Sequence, residues 1–156
     1  MNSIRTAAII ATTLTTGLMA GLYLTFSIAV MPGLSATDDR TFVLAMRSMN
    51  IKILNGWFAI IFGGPIVLGI LALVVVAVGS HKEALPWLIA AVVLYAATLA
   101  ITFGINIPLN DKLEATKAIE EARKLFEDKW IRWNVVRTVV AIGSLGALVG
   151  ALRAHP

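Results

Sequence analysis

Cysteine is absent from this chain, so disulfides, thiolate nucleophiles and iron–sulfur ligation are excluded. Histidine is nearly absent: His81 and His155 are the two in the chain, one in a short polar loop and one beside the C-terminus. Charge is scarce too, at 14% of residues against about 25% in ordinary soluble domains. Four long apolar runs, about Ala7–Met31, Trp57–Gly79, Leu85–Ile105 and Val135–Leu152, contain no Asp, Glu, Lys or His, and Arg137 is their one charge. No carboxylate or imidazole inside these runs is therefore available to ligate zinc, copper or non-haem iron. The five methionines form no convincing haem pair, and there is no glycine-rich phosphate loop, Ser-His-Asp set or ring of charges. These deficits point to no metal and no bound cofactor.

Apolar residues fill the space that charge vacates. They make up 58% of the 156 residues, against roughly 45–50% in soluble domains, and mean hydropathy is +0.85. Each run approaches the roughly 20 residues a helix needs to cross about 30 Å of hydrocarbon. A polar stripe of the kind a soluble bundle carries on each helix is missing. The sequence therefore predicts an all-α integral membrane four-helix bundle with the lipid bilayer as its first partner. The first run is too long for a cleaved secretory signal and lacks a small-x-small site followed by a polar mature domain. A net charge of +4 and a pI near 9.8 raise nucleic acid as a partner, but no basic stripe is interleaved with exposed aromatics, so no nucleic acid is expected.

Four antiparallel spans put the first and third connections on one side of the membrane. That side carries ten basic residues, while the other has Arg5, Lys82 and Arg153. Counting Lys and Arg near span ends places the long connections in the cytoplasm and both termini outside. Both long connections read as amphipathic helices. In the first, Asp38 and Asp39 suit a cap, with Phe42, Met46, Met49 and Ile53 following at helical spacing. In the third, Asn110 sits where a cap belongs, and Glu120–Lys124 is an i,i+4 pair. No Gly or Pro interrupts Leu109 to Ile142, which suggests one long helix entering the fourth span. Pro32-Gly33 reads as the stop of the first span, and Pro108 as a kink that deprives the Gly104 carbonyl of its donor. Small residues at Gly17 and Gly21, at Ala96, Ala100 and Gly104, and at Gly146 and Gly150 suit close helix contact, within the bundle or in a homo-oligomer.

This connectivity gathers the unusual residues at one membrane face. Tyr23 comes from the first span, Asn50, Asn55 and Trp57 lie at the start of the second, and Asn106, Asn110 and Asp111 end the third. Trp133, Asn134 and Arg137 open the fourth. Trp130, Trp133, Asn134 and Arg137 fall at i, i+3, i+4 and i+7, on one helix face. Two uses are open for them. Tryptophans at span ends anchor the interface, arginines there snorkel, and asparagine pairs fasten helices for about 0.6–2 kcal/mol each. Alternatively, amides, indoles and a guanidinium gathered at the mouth of apolar segments partner a ligand.

The pieces Asn106-Ile107-Pro108-Leu109-Asn110 and Trp133-Asn134-Val135-Val136-Arg137-Thr138 resemble the signature of the anthrone oxygenase-like family of small membrane proteins. Gly17–Gly21, Met31-Pro32-Gly33-Leu34 and Asn50 through Asn55-Gly56-Trp57-Phe58 extend the resemblance over nearly the whole chain. It implies a four-helix membrane bundle and, in some members, oxygenation of a polyketide anthrone to an anthraquinone without metal or flavin. The expected partners are then a small aromatic substrate and O₂. On this reading Arg137, Asn106, Asn110 and Asn134 are oxyanion donors with Asp111 as the nearest base. Trp57 and Trp133 stack on the rings, beside Asn134, Asn50, Asn55 and Tyr23. The competing expectation is a non-catalytic membrane binding or transport component, whose asparagines and arginine fasten the bundle.

Overall fold

The computed structural model describes residues 2–79 and 82–154, leaving His81 and His155 outside the described residues. Every regular element among the described residues is a helix. The first, α1, is a continuous rod made of an α-helix Asn2–Thr25, a π turn Phe26–Val30 and a final α-helical piece Met31–Ser35. After it come α2 (Asp39–Lys52), α3 (Gly56–Ala77) and α4, which joins Leu85–Ile101, a π turn Thr102–Asn106 and Ile107–Ala115. The last helix, α5, runs from Ile119 to Ala154. Four of these, Ser3–Ser35, Gly56–Ala77, Leu85–Ala115 and Ile119–Ala154, are long and apolar enough to cross a membrane. They pack as a ring in which α1 touches α3 and α5, and α4 touches α3 and α5. Leu14, Leu18, Val67, Val93 and Val139 stand exposed around its outside, a belt suited to lipid rather than water.

Helix lengths shape the molecule. The 22 residues of α3 make about 33 Å, one hydrocarbon thickness, whereas the 36 of α5 make about 54 Å. Hence α1, α4 and α5 project beyond the start of α3 at one end, where α2 packs against them. This head has its own core of Met31, Phe42, Val43, Met46, Leu113, Ala122, Phe126 and Trp130. Arg123 ties it together, donating to Asp39 at 2.9 Å, Glu127 at 2.6 Å and the carbonyls of Ser35 and Thr37, both at 2.9 Å. Burial alone would raise the Glu127 carboxyl, but the bonds from Arg123 and from Ser35 Oγ outweigh it and hold it below the usual carboxylate range.

Three sequence expectations need correction. Pro32 does not stop the first span: the π turn before it, closed by Met31 N–H donating to the Phe26 carbonyl, carries the helix on to Ser35. Pro108 is accommodated likewise, with Ile107 N–H donating to the Thr102 carbonyl and Pro108 in the first turn of the resumed helix. Shifting to i→i+5 bonding lets the ladder absorb a residue that lacks a donor. The third connection is not a separate helix capped by Asn110. Its amphipathic residues extend α4 and α5, and the chain breaks only near Thr116, which adopts an extended conformation. Arg47 caps that break, donating from Nη2 to the carbonyls of Leu113 at 2.8 Å and Thr116 at 2.6 Å. Asp38 caps α2 as expected, its Oδ1 accepting from Thr41 N–H at 3.0 Å. Of the small-residue groups, Gly17 meets Leu145 and Gly150 lies under the Trp87 ring, while Ala96, Ala100 and Gly104 face outward.

Candidate functional site

Where α3 starts late, the bundle leaves a cleft of about 920 Å³ below the end of α2. That is near the top of the roughly 300–1,000 Å³ typical of small-molecule sites. Its walls come from α1 (Tyr23, Phe26), α3 (Phe58, Phe62), α4 (Thr102, Phe103, Asn106) and α5 (Trp130, Asn134, Arg137).

Arg137 forms the floor, with only 6% of its surface exposed. Its Nη2 donates to Asn134 Oδ1 at 2.8 Å and its Nη1 to Thr102 Oγ1 at 3.2 Å. The guanidinium carbon lies 4.5 Å from the centroid of the Tyr23 ring and 5.4 Å from that of Trp130. Two aromatic faces thus supply the negative potential usually given by a carboxylate. Among the described residues no carboxylate lies within ion-pair distance of it. Asn134 is fully employed: its Nδ2 donates to the Tyr23 carbonyl at 3.0 Å and to Ser27 Oγ at 2.8 Å, fixing the amide that orients the arginine.

Hydroxyls elsewhere in the bundle follow the rule for lipid-embedded helices, returning their proton to a nearby carbonyl. Thr12 donates to Ala8, Thr98 to Tyr95, Thr102 to Thr98, Thr138 to Asn134 and Ser144 to Ala91. Against that background the buried unbonded atoms stand out. Among the described residues they are Thr16 Oγ1, the Tyr23 hydroxyl, Arg137 Nε and both side-chain atoms of Asn106. Tyr23, Asn106 and Arg137 all line the cleft. Asn106 is 1% exposed, so its idle amide costs roughly 1–3 kcal/mol unless a ligand meets it. An idle amide lining the same cleft as a buried cation makes an anion or polarised oxygen the natural guest.

The structure brings together most of the residues singled out from the sequence. Arg137, Asn106, Asn110, Asp111, Asn134, Asn50, Asn55 and Tyr23 all line the cleft. Several roles change. Arg137 spends its bonds on Asn134, one turn back on its own helix, and Thr102, and makes none to Asn106, Asn110 or Asp111. Asn110 Oδ1 instead accepts from Trp130 Nε1 at 2.9 Å, and Asp111 stands exposed at the mouth. Asn55 is the cap of α3, its Oδ1 accepting from Phe58 N–H at 3.1 Å. Trp57 points outward, 80% exposed, and Trp133 is half-buried away from the lining. A residue three places on is turned about 60° from the face that Trp130, Asn134 and Arg137 share, which carries Trp133 off the site. The aromatic wall is Phe26, 5.6 Å from Trp130 between centroids, with Phe58 stacked on Phe62 at 5.1 Å and Phe62 edge-on to Phe103 at 6.0 Å. Phe58, Phe62 and Phe103 were not anticipated. The i,i+4 spacing of the first two was visible, but it is equally the pattern of a lipid-facing stripe.

A family model described as anthrone oxygenase matches residues 57–147, spanning α3, α4 and the part of α5 that carries Trp130, Asn134 and Arg137. No curated protein and no solved structure matches the chain. With more than half its length inside that match, the chain belongs to the anthrone oxygenase family.

Proposed function

We propose that this protein is a membrane-embedded oxygenase that converts a planar phenolic, anthrone-type compound to the corresponding quinone, using O₂ without metal or flavin. The observation that carries this reading is the buried Arg137 guanidinium, unpaired with any carboxylate among the described residues, lining the same aromatic-walled cleft as the unbonded amide of Asn106. An anthrone methylene is acidic because its anion is an aromatic phenolate. Arg137 Nε and Asn106 Nδ2 are the donors for that oxygen, which lowers the energy of the anion. Asp111, at the mouth, is the proton acceptor. The carbanion delivers an electron pair to O₂ and forms a C–O bond, giving a hydroperoxide after protonation. Loss of water leaves the new carbonyl, so anthrone and O₂ become anthraquinone and water. The aromatic walls hold the rings flat and keep the second hydroxylated edge in an apolar setting.

The test is incubation of the purified, chelator-treated protein with emodin anthrone under oxygen. The expected result is anthraquinone formed well above the protein-free rate, with one O₂ consumed per product. Formation no faster than in buffer defeats the reading, and stoichiometric binding without turnover supports the non-catalytic alternative. The head, with its basic residues, belongs on the cytoplasmic side. Cysteine at Ser35 should then react with impermeant maleimide from the cytoplasmic side and cysteine at Ser80 from the other.

A further inference from the structure

The cleft has two rims of opposite character. Towards the head stand Asp111 and Glu114, both exposed carboxylates. Towards the first turn of α3 stand Ile51, Leu54 and Phe103, which are 62%, 75% and 59% exposed although all three line the cleft. Trp57, also exposed, stands in the first turn of a helix just long enough for the membrane, the depth at which indoles anchor. That rim is therefore at the lipid boundary. There Phe103 meets Phe62, one turn deeper in α3 than Phe58, and the three form a continuous strip of ring contacts along the cleft wall.

We propose that the cleft is loaded from the bilayer, through the gap between the first turns of α3 and the π turn of α4, and that Phe103 screens what passes. This rests on the reading of the site as one for a planar phenolic compound. A neutral flat phenol dissolves in lipid and slides along ring faces, whereas the aqueous rim presents two carboxylates that repel a phenolate. The ring system enters neutral through lipid and gives up its proton, to Asp111, only once it is in the cleft with its oxygen at Arg137. Phe103 is a specificity-determining residue, since it is at once lipid-exposed and part of the aromatic strip.

The absence of native cysteine makes the test clean. In vesicles, Phe103→Cys carrying a bimane label should be quenched by lipids brominated in the acyl chain and shielded from aqueous iodide. With Trp57, Trp87 and Trp133 replaced by Phe, quenching of Trp130 by emodin reports entry. A bulky maleimide adduct at Phe103→Cys should slow emodin association at least tenfold, whereas the same adduct at Glu114→Cys should leave the rate within twofold. Iodide quenching of the bimane in place of lipid quenching overturns the portal, and so does slowing at position 114 but not at 103. No emodin quenching in unmodified protein removes the aromatic ligand itself, and the portal for it. That failure is told apart from the portal's own by the bimane result, which needs no ligand.

Discussion

Asn106→Leu separates a ligand site from a helix fastener more sharply than loss of activity does. Both amide atoms of Asn106 are buried and unbonded, and the side chain is 1% exposed. Leucine keeps the branched four-atom skeleton, has the cleft beside it to take its larger methyl groups and has nothing to satisfy, so it recovers the roughly 1–3 kcal/mol that an idle buried amide costs. At about 2–4 °C per kcal/mol for a chain of this size, the unfolding midpoint should rise by several degrees. The same substitution removes one donor to the guest, and emodin binding should weaken by at least tenfold, about 1.4 kcal/mol. Thermal unfolding in detergent followed by tryptophan fluorescence, with emodin titration on the same samples, reads both. A lowered midpoint would refute the reasoning, because it means that Asn106 fastens α4 to a neighbour and its amide is not idle.

Three further outcomes follow from the same geometry. Arg137→Lys keeps the charge but cannot span Asn134 and Thr102 while leaving a donor free, so turnover of emodin anthrone should fall about 100- to 1,000-fold in steady-state assays with little change in unfolding midpoint. Trp130→Phe removes the bond to Asn110 and should lower turnover, whereas Trp57→Phe and Trp133→Phe, outside the lining, should stay within about twofold of wild type. In the head, the Glu127 carboxyl is depressed in the folded state, so its stabilisation is present above its unfolded value and lost as pH falls through the folded one. Glu127→Gln should therefore lower the midpoint at pH about 7, and the gap to wild type should narrow steadily in scans taken at falling pH below the ordinary carboxylate range.

The four membrane helices were legible because lipid demands a local signal: an uncharged apolar run of sufficient length. Their true ends were not, since the projecting parts of α1, α4 and α5 are held by tertiary contacts. Thr116 breaks the chain without Gly or Pro because Arg47, on α2 and distant in sequence, caps the freed carbonyls. Pro32 looked like a stop because sequence rules assume α-helical bonding. The π turn changes which carbonyl each N–H seeks, and nothing in the residue string states that change. Asn55 was noticed as a polar residue at a span start, and its main employment is as a cap.

The site was partly legible for a related reason. A polar residue in an apolar run announces itself, but its vacancy does not. Asn134 and Asn106 look alike in the sequence; in the fold one satisfies three bonds and the other none. Away from water, the polar groups of a membrane bundle have to find their partners within the bundle. Partners are found at Thr12, Thr98, Thr102, Thr138 and Ser144, which makes the failure at Asn106 informative. Packing alone gives no reason for an unbonded amide and a guanidinium without a carboxylate to line one aromatic-walled cleft. A guest with an oxygen to share among them does.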